Sequence, residues 1–169
     1  MAQLRAATGL SSASLYGAFG SKEGLFERAV EHYIAGPGRV SELVGDLTRD
    51  PLEALGLMLH GTIEMQSDEG HPGGCLVALS ATLGADGYDD AAARSIVAAR
   101  RAEDRARIEA CLRRGRAAGV TRAELDPEAT TIMLHSFVLG VSTQLLDGVQ
   151  PTALHAAADL LLDGVRRQH

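Results

Sequence analysis

The sequence predicts an all-α protein, and three features carry that expectation. Apolar residues fill 46% of the 169 positions while runs of β-branched residues are nearly absent, a composition that favours helices over strands. Apolar residues recur at helical spacing, as in Leu52, Leu55, Leu59 and Ile63. Helix starts are also written into the chain. Asp50-Pro51 and Asp126-Pro127 each pair a capping carboxylate with a proline suited to the first turn.

The elements follow in order. A short helix is expected over about Met1 to Thr8, and Gly9 then supplies a tight turn where positive φ costs little. Ser11 or Ser12 can cap the next helix. Within it Leu15 and Phe19, four apart, share the inward face. Ser12, Ser14, Tyr16 and Gly17 are left facing outward. Gly20 breaks this helix, and Ser21 caps another that runs from Lys22 to Ala35. Gly36-Pro37-Gly38 should end that helix or kink it.

After the Asp50-Pro51 start comes the Leu52–Leu55–Leu59–Ile63 stripe. Ser67 to Gly74 reads as a loop by composition, Cys75 to Leu83 as a short apolar helix, and Ala85 to Tyr88 as another break. Asp89 to Ala118 predicts a long charged helix stopped by Gly119. Pro151 opens the last helix, whose stripe is Leu154, Ala157, Ala158, Leu161, Leu162 and Val165.

The helix from about Glu128 to Leu146 is the unusual one. Ile132, Met133, Leu134, Phe137, Val138, Leu139, Val141, Leu145 and Leu146 make it apolar on nearly every side. Such a helix needs cover all round. A second subunit would provide it, and Ser136 and Gly140 would let a facing helix approach closely. Burial inside its own subunit is the plainer alternative.

Composition narrows the function classes. No signal peptide and no unbroken apolar run long enough to span a bilayer is visible. Cys75 and Cys111 do not make a disulfide framework. The chain therefore reads as cytoplasmic, with no membrane partner and no cofactor or metal expected. The net charge of −6 argues against a nucleic-acid binder as a whole. Up to Arg39, however, Arg5, Lys22, Arg28 and Arg39 oppose Glu23, Glu27 and Glu31, so the N-terminal part is slightly positive and the rest acidic.

The string Leu15-Tyr16-x-x-Phe19-x-Ser21-Lys22-Glu23-x-Leu25-Phe26, set behind the Gly9 turn, resembles the TetR/AcrR family of bacterial transcriptional repressors. The resemblance is specific over the first 35 or so residues and weaker around Pro72-Gly73-Gly74-Cys75-Leu76. It implies an N-terminal helix-turn-helix DNA-binding domain over 1–36 and a helical-bundle effector-binding and dimerisation domain over 37–169. Members usually carry one more helix ahead of this region, so the DNA-binding domain is expected to be truncated and its hold on DNA weakened.

That resemblance assigns expected roles. Ser11, Tyr16 and Lys22 match positions that hold the DNA backbone, and Ser12, Ala13, Ser14 and Gly17 lie where side chains reach base edges. None of these last four carries a bidentate donor, so base readout is expected to be modest. For each of them a solvated helix face is the alternative, and for Ser11 a cap. The last two helices should build a homodimer interface using Phe137, Gly140, Val141, Leu154 and Leu161. Twofold-related reading heads would then meet successive major grooves of a double-stranded operator.

The C-terminal body should hold an unidentified small-molecule effector. Candidates for its pocket are Met58, His60, Thr62, Met65, Cys75 and Leu79, each of which also fits an ordinary core position. His135, in an apolar helix, reads as a core or interface histidine. Cys75 follows His71-Pro72-Gly73-Gly74 near a helix start, a placement that can activate a thiol, so a thiol or metal sensor with His71 is one alternative and a small buried residue the other.

Other classes fit less well. Cys75 with His71 or His60 does not match a hydrolase spacing. Gly17 to Lys22 falls one residue short of a phosphate loop and lacks the strand before it. The functional expectation is a ligand-responsive repressor that releases its operator on binding a small molecule. Its rival is a homologue that dimerises and binds ligand but no longer binds DNA.

Overall fold

The computed structural model describes residues 2–68, 70, 73–80 and 91–167. Expectations placed on Met1, His71, Pro72, Leu83, Asp89 and the Ala85–Tyr88 break lie outside the described residues. The described chain forms eight α-helices and one 3-10 stretch. They are α1 (Ala2–Thr8), α2 (Ser12–Phe19), α3 (Lys22–Ala35), the 3-10 stretch Pro37–Gly45, α4 (Pro51–Ser67), α5 (Leu76–Leu79), α6 (Ala91–Ala117), α7 (Pro127–Leu146) and α8 (Pro151–Val165). The described residues contain no strand beyond an isolated antiparallel bridge between Thr121 and Arg166.

The expected caps form. Asp50 accepts from the backbone N–H groups of Leu52 and Glu53 at the start of α4, and Asp126 accepts from that of Glu128 at the start of α7. Each thereby satisfies donors that a helix end otherwise leaves open. Gly36 ends α3 outright rather than kinking it, and Pro37 begins the tighter 3-10 coil that follows. The short helix at Cys75 covers four residues, Leu76–Leu79.

Helix α4 is the axis of the body. It packs on the 3-10 stretch, α6, α7 and α8. Its Leu55, Met58, Leu59 and Ile63 are fully buried against Ile108, Cys111 and Leu112 of α6, Leu134 and Val141 of α7, and Leu154, Ala158 and Val165 of α8. The period of three and four read along the sequence is therefore the face that closes the core. Polar ties hold the periphery. Arg100 of α6 is buried, bonds Asp104 at 3.1 Å and reaches Glu42 of the 3-10 stretch at 3.7 Å. The Arg101 guanidinium donates to the Val77 carbonyl, and the Arg114 guanidinium to that of Asp46.

α7 is the one described helix long and apolar enough to cross a membrane, with a mean hydropathy of 1.3. Its apolar positions are interrupted by Thr130, Thr131, His135, Ser136, Ser142, Thr143 and Gln144, so it is not an unbroken apolar run. Its buried face carries Thr130, Thr131, His135 and Ser142 and packs on α4, α5, α6 and α8, as in a bundle helix. Its other side is not covered within the chain: Ile132 is 54% exposed, Met133 42% and Leu146 62%.

Candidate functional site

The N-terminal helices build a helix-turn-helix from local rules. Gly9 takes φ 69° and Gly20 φ 75°, the left-handed region that glycine enters cheaply. Between them Ser11 caps α2, its Oγ accepting from the Ser14 N–H at 3.1 Å. Ser21 caps α3 in the same way, accepting from the Gly24 N–H at 3.0 Å. Leu15 is the buried anchor of α2. The turn from α2 into α3 is so tight that a Cβ on Gly24 would run into the Phe19 carbonyl oxygen. Gly24 is a determinant that the motif leaves as an unspecified position.

Most of the residues expected to meet DNA are open to solvent. Ser11, Ala13, Ser14, Tyr16, Gly17 and Lys22 are exposed and Ser12 is half-buried. Ser11 and Ser14 are also bonded to each other, hydroxyl to hydroxyl at 3.0 Å, so the cap and the outward face are one feature. α1 buries none of its residues, and Leu4 and Leu10 are exposed.

A second feature lies inside the body, where α3 meets α4, α5, α6 and α7. Tyr33, Ile34, Val40, Thr62, Met65, Gln66, Cys75, Val77, His135, Val138 and Leu139 surround a cavity of about 30 Å³, room for about one or two waters. Its polar groups form a chain. The Cys75 N–H donates to Ser142 Oγ at 3.2 Å, and that hydroxyl donates to Gln66 Oε1 at 2.6 Å. Gln66 Nε2 is buried with no partner among the described residues. His135 is held neutral: burial, then the charges of Arg105 and Arg101, bring its pKa down from 6.5 to about 4. Burial and the neighbouring Cys75 raise the Tyr33 phenol above its ordinary range.

Comparison with known proteins places this architecture. Residues 51–161 match the family described as "Tetracyclin repressor-like, C-terminal domain". The TetR family transcriptional regulator CifR, solved as a cysteine mutant complexed with a 26-bp double-strand operator DNA, is 32% identical. It superposes with a TM-score of 0.84 over 96% of this chain and 84% of that one. The chain belongs to the TetR family of transcriptional regulators. A putative TetR regulator from Rhodococcus sp. RHA1 is 28% identical, with a TM-score of 0.68 over 98% of this chain and 87% of that one. Reduced Escherichia coli NemR, at 20% identity, shares the fold with a TM-score of 0.77 over 99% and 86% of the two chains. No curated protein sequence matches.

Within this TetR fold the residues expected around an effector separate into two groups. Thr62, Met65 and Cys75 line the cavity. Met58, His60 and Leu79 do not, which corrects that part of the expectation. Met58 is wholly buried in the core, one turn before Thr62 and on the face that meets α6 and α7. His60 points the other way along α4. Its ring stacks on His155 of α8, with Nδ1 atoms 2.7 Å apart, and its Nε2 lies 3.1 Å from Asp159. Leu79 is 42% exposed at the end of α5. No metal-ligating cluster of three occurs among the described residues.

The residues expected at a dimer interface divide too. Val141 and Leu154 are buried in the chain's own core, a correction, because α7 and α8 turn those positions toward α4. Phe137, Gly140 and Leu161 remain part-open, and nothing lies within 4 Å of where a Cβ on Gly140 would sit. Leu160, passed over in the sequence, is 75% exposed on α8. Sequence reasoning also missed Tyr33 and Gln66. Gln66 had a signal: it follows Leu59 and Ile63 at helical spacing, so it must share their buried face.

Proposed function

We propose that the protein is a ligand-responsive transcriptional repressor that binds a double-stranded operator in the cytoplasm as a homodimer. One observation supports this above the others: α3 belongs both to the helix-turn-helix and, through Tyr33 and Ile34, to the wall of the internal cavity. Anything that enlarges the cavity pushes on the helix whose first turn carries Lys22. The reading heads then change separation, and two heads that must meet successive major grooves lose their fit. The exposed Ile132, Met133, Leu146 and Leu160 on α7 and α8 support a twofold four-helix contact between subunits, since apolar surface of this kind is where subunits join. Ser11, Tyr16 and Lys22 are proposed to hold phosphates, and Ser12, Ala13, Ser14 and Gly17 to face base edges.

The test is selection of bound duplexes from a random-sequence pool, followed by gel shift. Enrichment of a palindrome whose half-sites lie one or more helical turns apart is expected. Recovery of no sequence above background would refute DNA recognition. That outcome would favour the rival, a dimeric ligand-binding homologue, for which the full exposure of α1 is the motivating observation.

A further inference from the structure

We infer that the body carries an anion site at the end of α6, a cleft framed by Arg116, Arg122 and Arg167 that takes a free diphosphate anion. The inference is independent of the internal cavity and of the reading head.

Three separate segments build the cleft. α6 ends at Ala117, and Gly119 turns the chain at φ 69°. Residues 120–122 then run antiparallel to 165–167. The Arg122 N–H donates to the Val165 carbonyl at 3.1 Å, and the Arg167 N–H to that of Val120 at 3.0 Å. Side chains alternate along such a pairing, so Arg122 and Arg167 fall on one side and Arg166 on the other. Arg116, in the last turn of α6, joins them. The three line a cleft of about 480 Å³, within the size range of small-molecule sites.

The guanidinium groups are placed for a ligand. Arg122 is held in position, its Nε donating to the Arg166 carbonyl at 3.2 Å and one Nη to that of Asp163 at 3.5 Å. Its other N–H groups stay open. The Arg116 and Arg167 side chains have no carboxylate partner among the described residues. Glu124 is the one carboxylate in the lining, so the cleft is positive in a chain whose net charge is −6. The carbonyl ends of α6 and α8 each add roughly half a negative charge. Together they offset about one guanidinium, and the cleft stays positive. It also lies apart from the reading head. Ser95 to Glu103 of α6 run along α3, and Arg116 is thirteen residues further on, about 20 Å along the axis.

The lining sets the class of anion. Guanidinium forks match phosphate and carboxylate oxygens alike. A carboxylate presents its oxygens in one plane, whereas phosphoryl groups present them on several sides, as forks arriving from three segments require. The cleft is larger than a single phosphate fills. No aromatic side chain lines it among the described residues, so a nucleobase attached to the anion would gain no stacking. Bound there, a diphosphate ties the end of α6, the turn leading into α7 and the end of α8 together.

Calorimetric titration with pyrophosphate, at fixed ionic strength and without divalent metal, reads the affinity. Expected is saturable binding at one site per chain, with sulfate roughly tenfold weaker. Arg116→Gln and Arg167→Gln replace exposed side chains, and unchanged thermal unfolding without ligand confirms their fold. Each should weaken pyrophosphate binding roughly tenfold, the range of one charge-assisted hydrogen bond. Arg113→Gln, whose side chain pairs with Glu109 outside the cleft, should leave the affinity unaltered. No saturation at millimolar pyrophosphate would overturn the inference. Equal affinity for sulfate, or tighter binding of ADP than of pyrophosphate, would overturn the assignment of a free diphosphate. Binding that survives in the Arg116→Gln/Arg167→Gln double variant but is lost in Lys22→Ala would place the anion on the reading head and overturn the site.

Discussion

Acidification should weaken this protein through His135, and the size of the effect can be worked out. His135 is buried on α7, and its pKa drops from 6.5 to about 4 because burial and then Arg105 and Arg101 disfavour the imidazolium. Between those values the unfolded chain binds a proton that the folded chain refuses, so stability rises with pH across that window. The contribution is complete above about pH 6.5 and declines as pH falls toward 4. Taking both pKa values into the linkage relation, the loss between about pH 7.5 and pH 5 is roughly 2 kcal/mol. Urea unfolding at the two pH values, at one protomer concentration, measures it. His135→Leu keeps the apolar volume and removes the titration, so its stability should fall less over this interval by about 2 kcal/mol. A variant that loses as much stability as the parent would show that His135 does not titrate in this way.

Other substitutions give equally direct tests. Gly24→Ala drives a Cβ into the Phe19 carbonyl oxygen, so it should shift α3 against α2 and weaken operator binding while the body's thermal transition stays in place; unaltered gel shifts would contradict the tight-turn argument. Leu59→Ala opens a hole at the centre of α4, where Leu59 is wholly buried, and should cost about 2–5 kcal/mol in denaturant unfolding. Asp126→Ala removes the cap on the Glu128 N–H and should cost about 1 kcal/mol. Lys22→Ala should reduce the slope of log affinity against log salt by about 0.9 per subunit if Lys22 neutralises one phosphate, and an unchanged slope would remove it from the contact set.

Local grammar made most of the fold legible. Capping residues, prolines and positive-φ glycines act over a few residues, so the starts at Asp50 and Asp126, the turns at Gly9 and Gly20 and the stop at Gly119 could be placed from the chain alone. The α4 stripe was equally plain, because a helix buries whatever recurs every three or four positions. What escaped were features made by distant segments meeting. Tyr33 and Cys75 are far apart in the chain and become neighbours when α3 lies across α5. His60 was misplaced for a related reason: periodicity shows that a residue sits beside the core but not which neighbouring helix it faces. Val141 and Leu154 were assigned to an interface because the resemblance places one on the last two helices, and a resemblance at the level of helices does not say which side of each faces the chain's own core.

The shared position of Tyr33 and Lys22 on α3 has a mechanical consequence. Both belong to one unbroken helix of fourteen residues, about 21 Å of near-rigid rod. A tilt of about 5° at the cavity end would carry the far end by about 2 Å. On the proposed reading, a small widening of the cavity beside Tyr33 would reach Lys22 as a larger movement, because Lys22 lies farther along the rod. Gly36 and Pro37 end the rod on the body side, where the tighter 3-10 stretch takes over.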